Sequence, residues 1–98
     1  MNLCQAFTIE DLDAIGLLNM SSLTIVAEGL SFPEGPRWHD GAFYFSDFYQ
    51  HSVFCVGQNG MLETVAKVPN QPSGLGWLPD GRMLIVSMTD RKLLRQEA

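Results

Sequence analysis

A stretch of this chain occurs twice about 40 residues apart, and a period of that size restricts the fold more than any single residue in it. Gly35-Pro36-Arg37-Trp38-His39-Asp40-Gly41, followed by Ala42-Phe43-Tyr44-Phe45-Ser46, is answered by Gly74-Leu75-Gly76-Trp77-Leu78-Pro79-Asp80-Gly81, followed by Arg82-Met83-Leu84-Ile85-Val86-Ser87. Trp38 aligns with Trp77, and Gln50-His51-Ser52-Val53-Phe54 aligns with Asp90-Arg91-Lys92-Leu93-Leu94. On this alignment the second copy carries one extra residue between its Asp-Gly pair and the serine.

Repeats of this length build either helical solenoids or β-propeller blades, and the content of the unit decides between them. Asp40-Gly41, Asn59-Gly60 and Asp80-Gly81 are each flanked by β-branched or aromatic runs. Such dipeptides signal hairpins, because a type I′ turn needs positive φ at both central residues. The pattern predicts strands over Pro36–His39, Ala42–Asp47, Ser52–Val56 and Met61–Val68, then over Gly74–Leu78, Met83–Ser87 and Lys92–Arg95. The second unit lacks a fourth strand. A closed propeller takes about four to eight four-stranded blades, roughly 160–320 residues at this period, so 98 residues do not close one. The expected fold is therefore all-β, an N-terminal fragment of about one and a half to two blades.

Three regions follow: an extension over residues 1–22, a first blade with a preceding outer strand over 23–68, and an incomplete second blade over 69–98. Within the extension, Thr8-Ile9-Glu10-Asp11 resembles a helix start, with Ile9, Leu12 and Ile15 on one face before Gly16. Met20 competes with Met1 as the initiator. Leu23–Glu28 reads as a strand that would supply the outer strand of the last blade in a closed ring.

At 46% hydrophobic the chain has the composition of an ordinary folded domain. Its net charge of −5 resides in residues 1–34, which hold Glu10, Asp11, Asp13, Glu28 and Glu34 and no Lys or Arg. No basic patch points to nucleic acid. Neither a signal-peptide pattern nor a membrane-length apolar run is present, so the expectation is a cytoplasmic protein with no membrane partner. Cys4 and Cys55 lack metal-ligand spacing and are expected to be free thiols. An unpaired strand at Lys92–Arg95 would expose a pairing edge, and self-association through exposed strand edges is expected.

Antiparallel geometry gathers Glu34, Asp47, His51 and the linker Pro69-Asn70-Gln71-Pro72-Ser73 at one end of the sheets, and sends the Asp-Gly turns to the other. Glu34, fixed between Pro33 and Gly35-Pro36, is the leading candidate for a metal ligand, and Ser73 is its counterpart in the second copy. Asp47 and His51 are candidate pocket residues, although loop capping explains Asp47 and solvent exposure explains His51. His39 and the aromatic residues Phe43, Tyr44, Phe45, Phe54 and Trp77 are expected to be structural.

Leu23–Arg95 resembles the start of the SMP-30/gluconolactonase/LRE-like family, through Gly29-Leu30-Ser31-Phe32-Pro33-Glu34-Gly35-Pro36-Arg37-Trp38, Phe45-Ser46-Asp47 and Gln71–Arg82. The resemblance implies a six-bladed β-propeller, a divalent metal (Ca²⁺ ahead of Zn²⁺), and hydrolysis of a small-molecule lactone or ester. It also implies that Glu34 matches the first-blade metal-ligating carboxylate. The family's remaining Asn and Asp ligands come from later blades and have no counterpart here, so the catalytic residues are unknown and the 98-residue chain by itself is expected to be inactive. The alternative is a non-catalytic fragment that acts as a β-edge interaction module.

Overall fold

Glycines and short polar turns cut the chain into seven strands. In the computed structural model, which describes residues 22–97, β1 (Pro33–His39), β2 (Ala42–Asp47), β3 (Ser52–Val56) and β4 (Leu62–Lys67) form one antiparallel sheet in that order. A second sheet contains β5 (Pro72–Trp77), β6 (Met83–Ser87) and β7 (Lys92–Arg95). The described residues are all-β, as the hairpin signals require. β1 and β5 start earlier than their sequence pattern suggests, because Pro33 already pairs with Asp47 and Pro72 with Ser87. The expected helix near Thr8 lies outside the described residues.

The three glycine turns are not alike. Asp40 and Gly41 both have positive φ, at 50° and 78°, which is the type I′ geometry of a two-residue hairpin loop. At Asn59-Gly60 and Asp80-Gly81 only the glycine is left-handed, so the expectation of type I′ turns there is corrected. Those loops are longer. Leu78 accepts from the Gly81 amide and donates to the Arg82 carbonyl, which leaves Pro79 at the φ-restricted position of a type I turn with Gly81 closing it.

The extra residue of the second copy also moves. Trp38 pairs with Phe43 and Trp77 with Met83, while Asp47 and Ser87 both face the first residue of the following strand. The insertion therefore lies before Asp80-Gly81, inside the turn, and Ser87 takes the place of Asp47 rather than of Ser46. The following turn repeats faithfully, with His51 and Arg91 both left-handed (φ 55° and 56°).

One face of β2 and β3 (Ala42, Tyr44, Val53, Cys55) packs against Val68, Leu75, Met83 and Ile85, which joins the two sheets in one core. The opposite face holds Phe45, Phe54 and Val56, flanked by Ala27, Leu30 and Phe43. Each fully buried side chain of this kind contributes about 1.5–3 kcal/mol of transfer free energy. Cys55 is completely buried and disulfide-bonded, which corrects the expectation of a free thiol; spacing along a sequence does not reveal pairing in space.

At the seam His39 stacks on Trp77 with ring centroids 3.9 Å apart and planes 7° apart, and Tyr44 meets the same indole edge-on at 4.9 Å. His39 and Trp77 are thus structural, as expected. Nearby, the Ser46 hydroxyl donates to the Ser73 carbonyl at 2.6 Å. A Cβ on Gly35 would lie 2.9 Å from that same carbonyl oxygen, and Gly35 has φ +63°. Both features demand glycine.

Leu23–Glu28 does not form the predicted strand. Among the described residues no strand lies beside it to receive its backbone hydrogen bonds, and Leu23 and Ile25 remain exposed.

Gly35→Ala should destabilise the chain by about 3 kcal/mol, combining left-handed strain with a backbone clash. Gly29→Ala, at φ +77° with open space around it, should cost only about 1–2 kcal/mol. Urea unfolding of both variants checks the difference; equal losses would show that the approach to Ser73 contributes nothing.

Candidate functional site

The head of β1 is bent by its own sequence. Glu34 pairs with Ser46 and Arg37 with Tyr44, so an extra residue is accommodated between them, and left-handed Gly35 forms the bulge. Pro33 and Pro36 fix φ on either side of Glu34 and Gly35. Glu34 is half-buried, and its Oε1 is fully buried with no hydrogen-bond partner among the described residues. A carboxylate oxygen withdrawn from water without a donor is costly, and such an atom is a natural place for a cation or proton donor.

Glu34 borders a groove of about 390 Å³. Phe43, Phe45, Pro33 and Pro36 line one side, while Thr24, Val26, Ala27 and Leu30 line the other. The groove is mostly apolar and open, with Glu34 as its one ionisable group.

The other predicted site residues share the same end of the sheets, as antiparallel register requires: Pro33 lies opposite Asp47, Asp47 opposite Ser52, and Ser52 opposite Lys67. None of them lines the groove. Asp47 is completely buried, and its carboxylate accepts from the Ser31 amide at 2.8 Å, the Phe32 amide at 2.9 Å and Gln50 Nε2 at 2.9 Å. It therefore caps the loop that leads into β1. His51 is exposed; its Nδ1 lies 2.9 Å from the Pro69 carbonyl, and its own carbonyl accepts from Val68, so it clamps the linker between the sheets. Ser73 contributes its carbonyl to the seam.

A Ca²⁺ ion takes six to eight oxygen ligands. Among the described residues no group of three or more His, Cys, Asp and Glu side chains could hold a metal. Glu34 fits one ligand position through its unpartnered oxygen, and nothing else in the described chain completes a coordination sphere.

Sequence reasoning missed two features. The stacking of His39 on Trp77 has no local signature, because it depends on how the sheets meet. The second was legible: Leu23-Thr24-Ile25-Val26-Ala27-Glu28 repeats Leu62-Glu63-Thr64-Val65-Ala66-Lys67, at the same spacing before Pro33 as the latter before Pro72. Comparison with protein-family models and with curated proteins finds no match for this chain.

Asp47→Asn should destabilise by about 2–4 kcal/mol, since an amide NH₂ would face one of two backbone donors inside the core. Asp40→Asn, in a left-handed turn position that suits asparagine, should stay within about 0.5 kcal/mol of the parent. Thermal unfolding followed by circular dichroism separates them, and a neutral Asp47→Asn would exclude the capping role.

Proposed function

We propose that this chain is the N-terminal part of a divalent-metal-dependent hydrolase of the gluconolactonase type, acting on a small-molecule lactone or ester, with Glu34 as the metal ligand it contributes. The observation that carries the reading is the buried, unpartnered Oε1 of Glu34 at a proline-fixed, glycine-bulged strand head. The resemblance of residues 29–38 to the SMP-30/gluconolactonase/LRE-like family supports it, as does the repeated four-stranded unit. A divalent ion, Ca²⁺ ahead of Zn²⁺, would supply Lewis-acid polarisation of the carbonyl. The part of the work done by this chain is narrower: it holds one carboxylate beside an apolar groove, kept from neutralisation by other side chains. The described residues by themselves do not make a catalyst.

A ligand carboxylate left without its cation is a local cost to the fold. In the presence of a chelator Glu34→Gln should therefore raise stability by about 1 kcal/mol, while the parent chain should gain thermal stability on adding Ca²⁺ and the variant should not. Differential scanning calorimetry with EDTA and then with Ca²⁺ reads both signs. If parent and variant responded equally to Ca²⁺, Glu34 would not be a ligand.

A further inference from the structure

Residues 23–28 and β7 are two halves of a contact that the single chain does not make. Residues 23–28 repeat the sequence of β4, and their packing repeats too: Ala66 and Val65 lie against the cluster containing Leu75, Met83 and Ile85, and Ala27 lies against Phe45 and Phe54. β4 holds its place by pairing with β3. The counterpart of β3 in the second sheet is β7, which pairs only with β6 among the described residues. One segment is thus an outer strand without a sheet, and the other sheet lacks an outer strand. The groove beside Glu34 separates residues 24–27 from β1 and β2, at the place where three inner strands would sit.

We infer that the chain binds a second copy of itself head to tail, with β5–β7 of one copy entering the groove of the next and β7 pairing with residues 23–28 there. The contact reuses the seam already present within the chain, where Tyr44 and Val53 cover Met83 and Ile85. In the repeat, Leu84 and Leu93 stand for Tyr44 and Val53, and Phe43 and Phe45 stand for Met83 and Ile85. Leu93 and Val86 form an exposed apolar face on the second sheet, with Val86 directly opposite Leu93.

Two details favour this occupant over an unrelated one. Ser52 lies opposite Lys67 in β3–β4, which places Lys92 opposite Glu28 in the new pair, a cross-strand match of charge. Gly74, the counterpart of Gly35, has only a Val86 methyl near its missing Cβ within the chain, at 3.5 Å; the head-to-tail contact would bring the neighbour's backbone there, as Ser73 approaches Gly35. At one position the match differs: Val86 replaces Ser46, so the hydroxyl bond across the seam is replaced by apolar contact. Because the two surfaces are different, each copy retains one open end, and the assembly grows until it closes or forms a fibre.

The test uses the whole chain and two surface variants, Val26→Asp in the groove and Leu93→Asp on β7, each at an exposed position that should leave the fold intact. Sedimentation velocity should show the parent associating with rising concentration and each variant remaining monomeric. An equimolar mixture should form a dimer and nothing larger, since Val26→Asp supplies a sound β7 and Leu93→Asp a sound groove. Glu28→Lys should weaken association several-fold, and adding Lys92→Glu should restore it. A parent that stays monomeric at every concentration reached, a single variant that associates alone, or a mixture that stays monomeric would each overturn the inference. Simple β7-to-β7 edge pairing would leave Val26→Asp associating, and calcium binding at Glu34 is tested separately, so neither result stands in for the other.

Discussion

Everything in the arrangement of the two sheets depends on one close approach of backbone to backbone. Gly35 offers no side chain where the Ser73 carbonyl comes in, and the Ser46 hydroxyl donates to that carbonyl from the neighbouring strand. With the strand heads held this near, the apolar faces of β2 and β6 meet over Tyr44, Val53, Met83 and Ile85. At the far end of the seam, the His39 ring covers Trp77. A side chain at residue 35 would move the strand heads apart, and a close-packed interior does not absorb such a displacement smoothly. The bulge at the same glycine sets the direction of Glu34, so sheet stacking and site geometry share one cause.

The two acidic residues at this end of the first sheet have opposite environments. Asp47 is surrounded by donors, two of them backbone amides that would otherwise be orphaned, and it ties the loop before β1 to the end of β2. Glu34 is close to it along the ladder, with one oxygen buried and unpartnered. A satisfied carboxylate is part of the scaffold, and an unsatisfied one beside a groove is available for a ligand. Residue type alone does not distinguish these two states, since both are single acids at strand termini.

Much of this was legible from the residues. Strands β2, β3, β6 and β7 fall where alternation and turn chemistry put them, because hairpin pairing is local and its signals lie within a few residues. The type of turn was less legible: an Asp-Gly pair adopts the two-residue geometry at residue 40 but not at residue 80, where Pro79 lengthens the loop. Pro33 and Pro72 obscured the true starts of β1 and β5, since proline is tolerated at a strand's first residues even though it interrupts the pattern. Leu23–Glu28 has the composition of a strand, yet a strand is defined by its neighbour, and sequence periodicity does not register whether the neighbour is present. The bonding of Cys55 and the stacking of His39 depend on long-range contacts and leave no trace at short spacing.

The unequal width of the two sheets bears on how the molecule opens. β3 lies between two strands and is buried along its whole length, whereas β7 has one neighbour and an exposed outer edge among the described residues. Local opening free energies run from nearly zero at fraying edges to the global value at enclosed strands. Amide protons of β2 and β3 should therefore exchange with solvent only when the molecule unfolds as a whole, and those of β7 through local fraying, so that one half of an internally repeated chain keeps time by a slow clock and the other by a fast one.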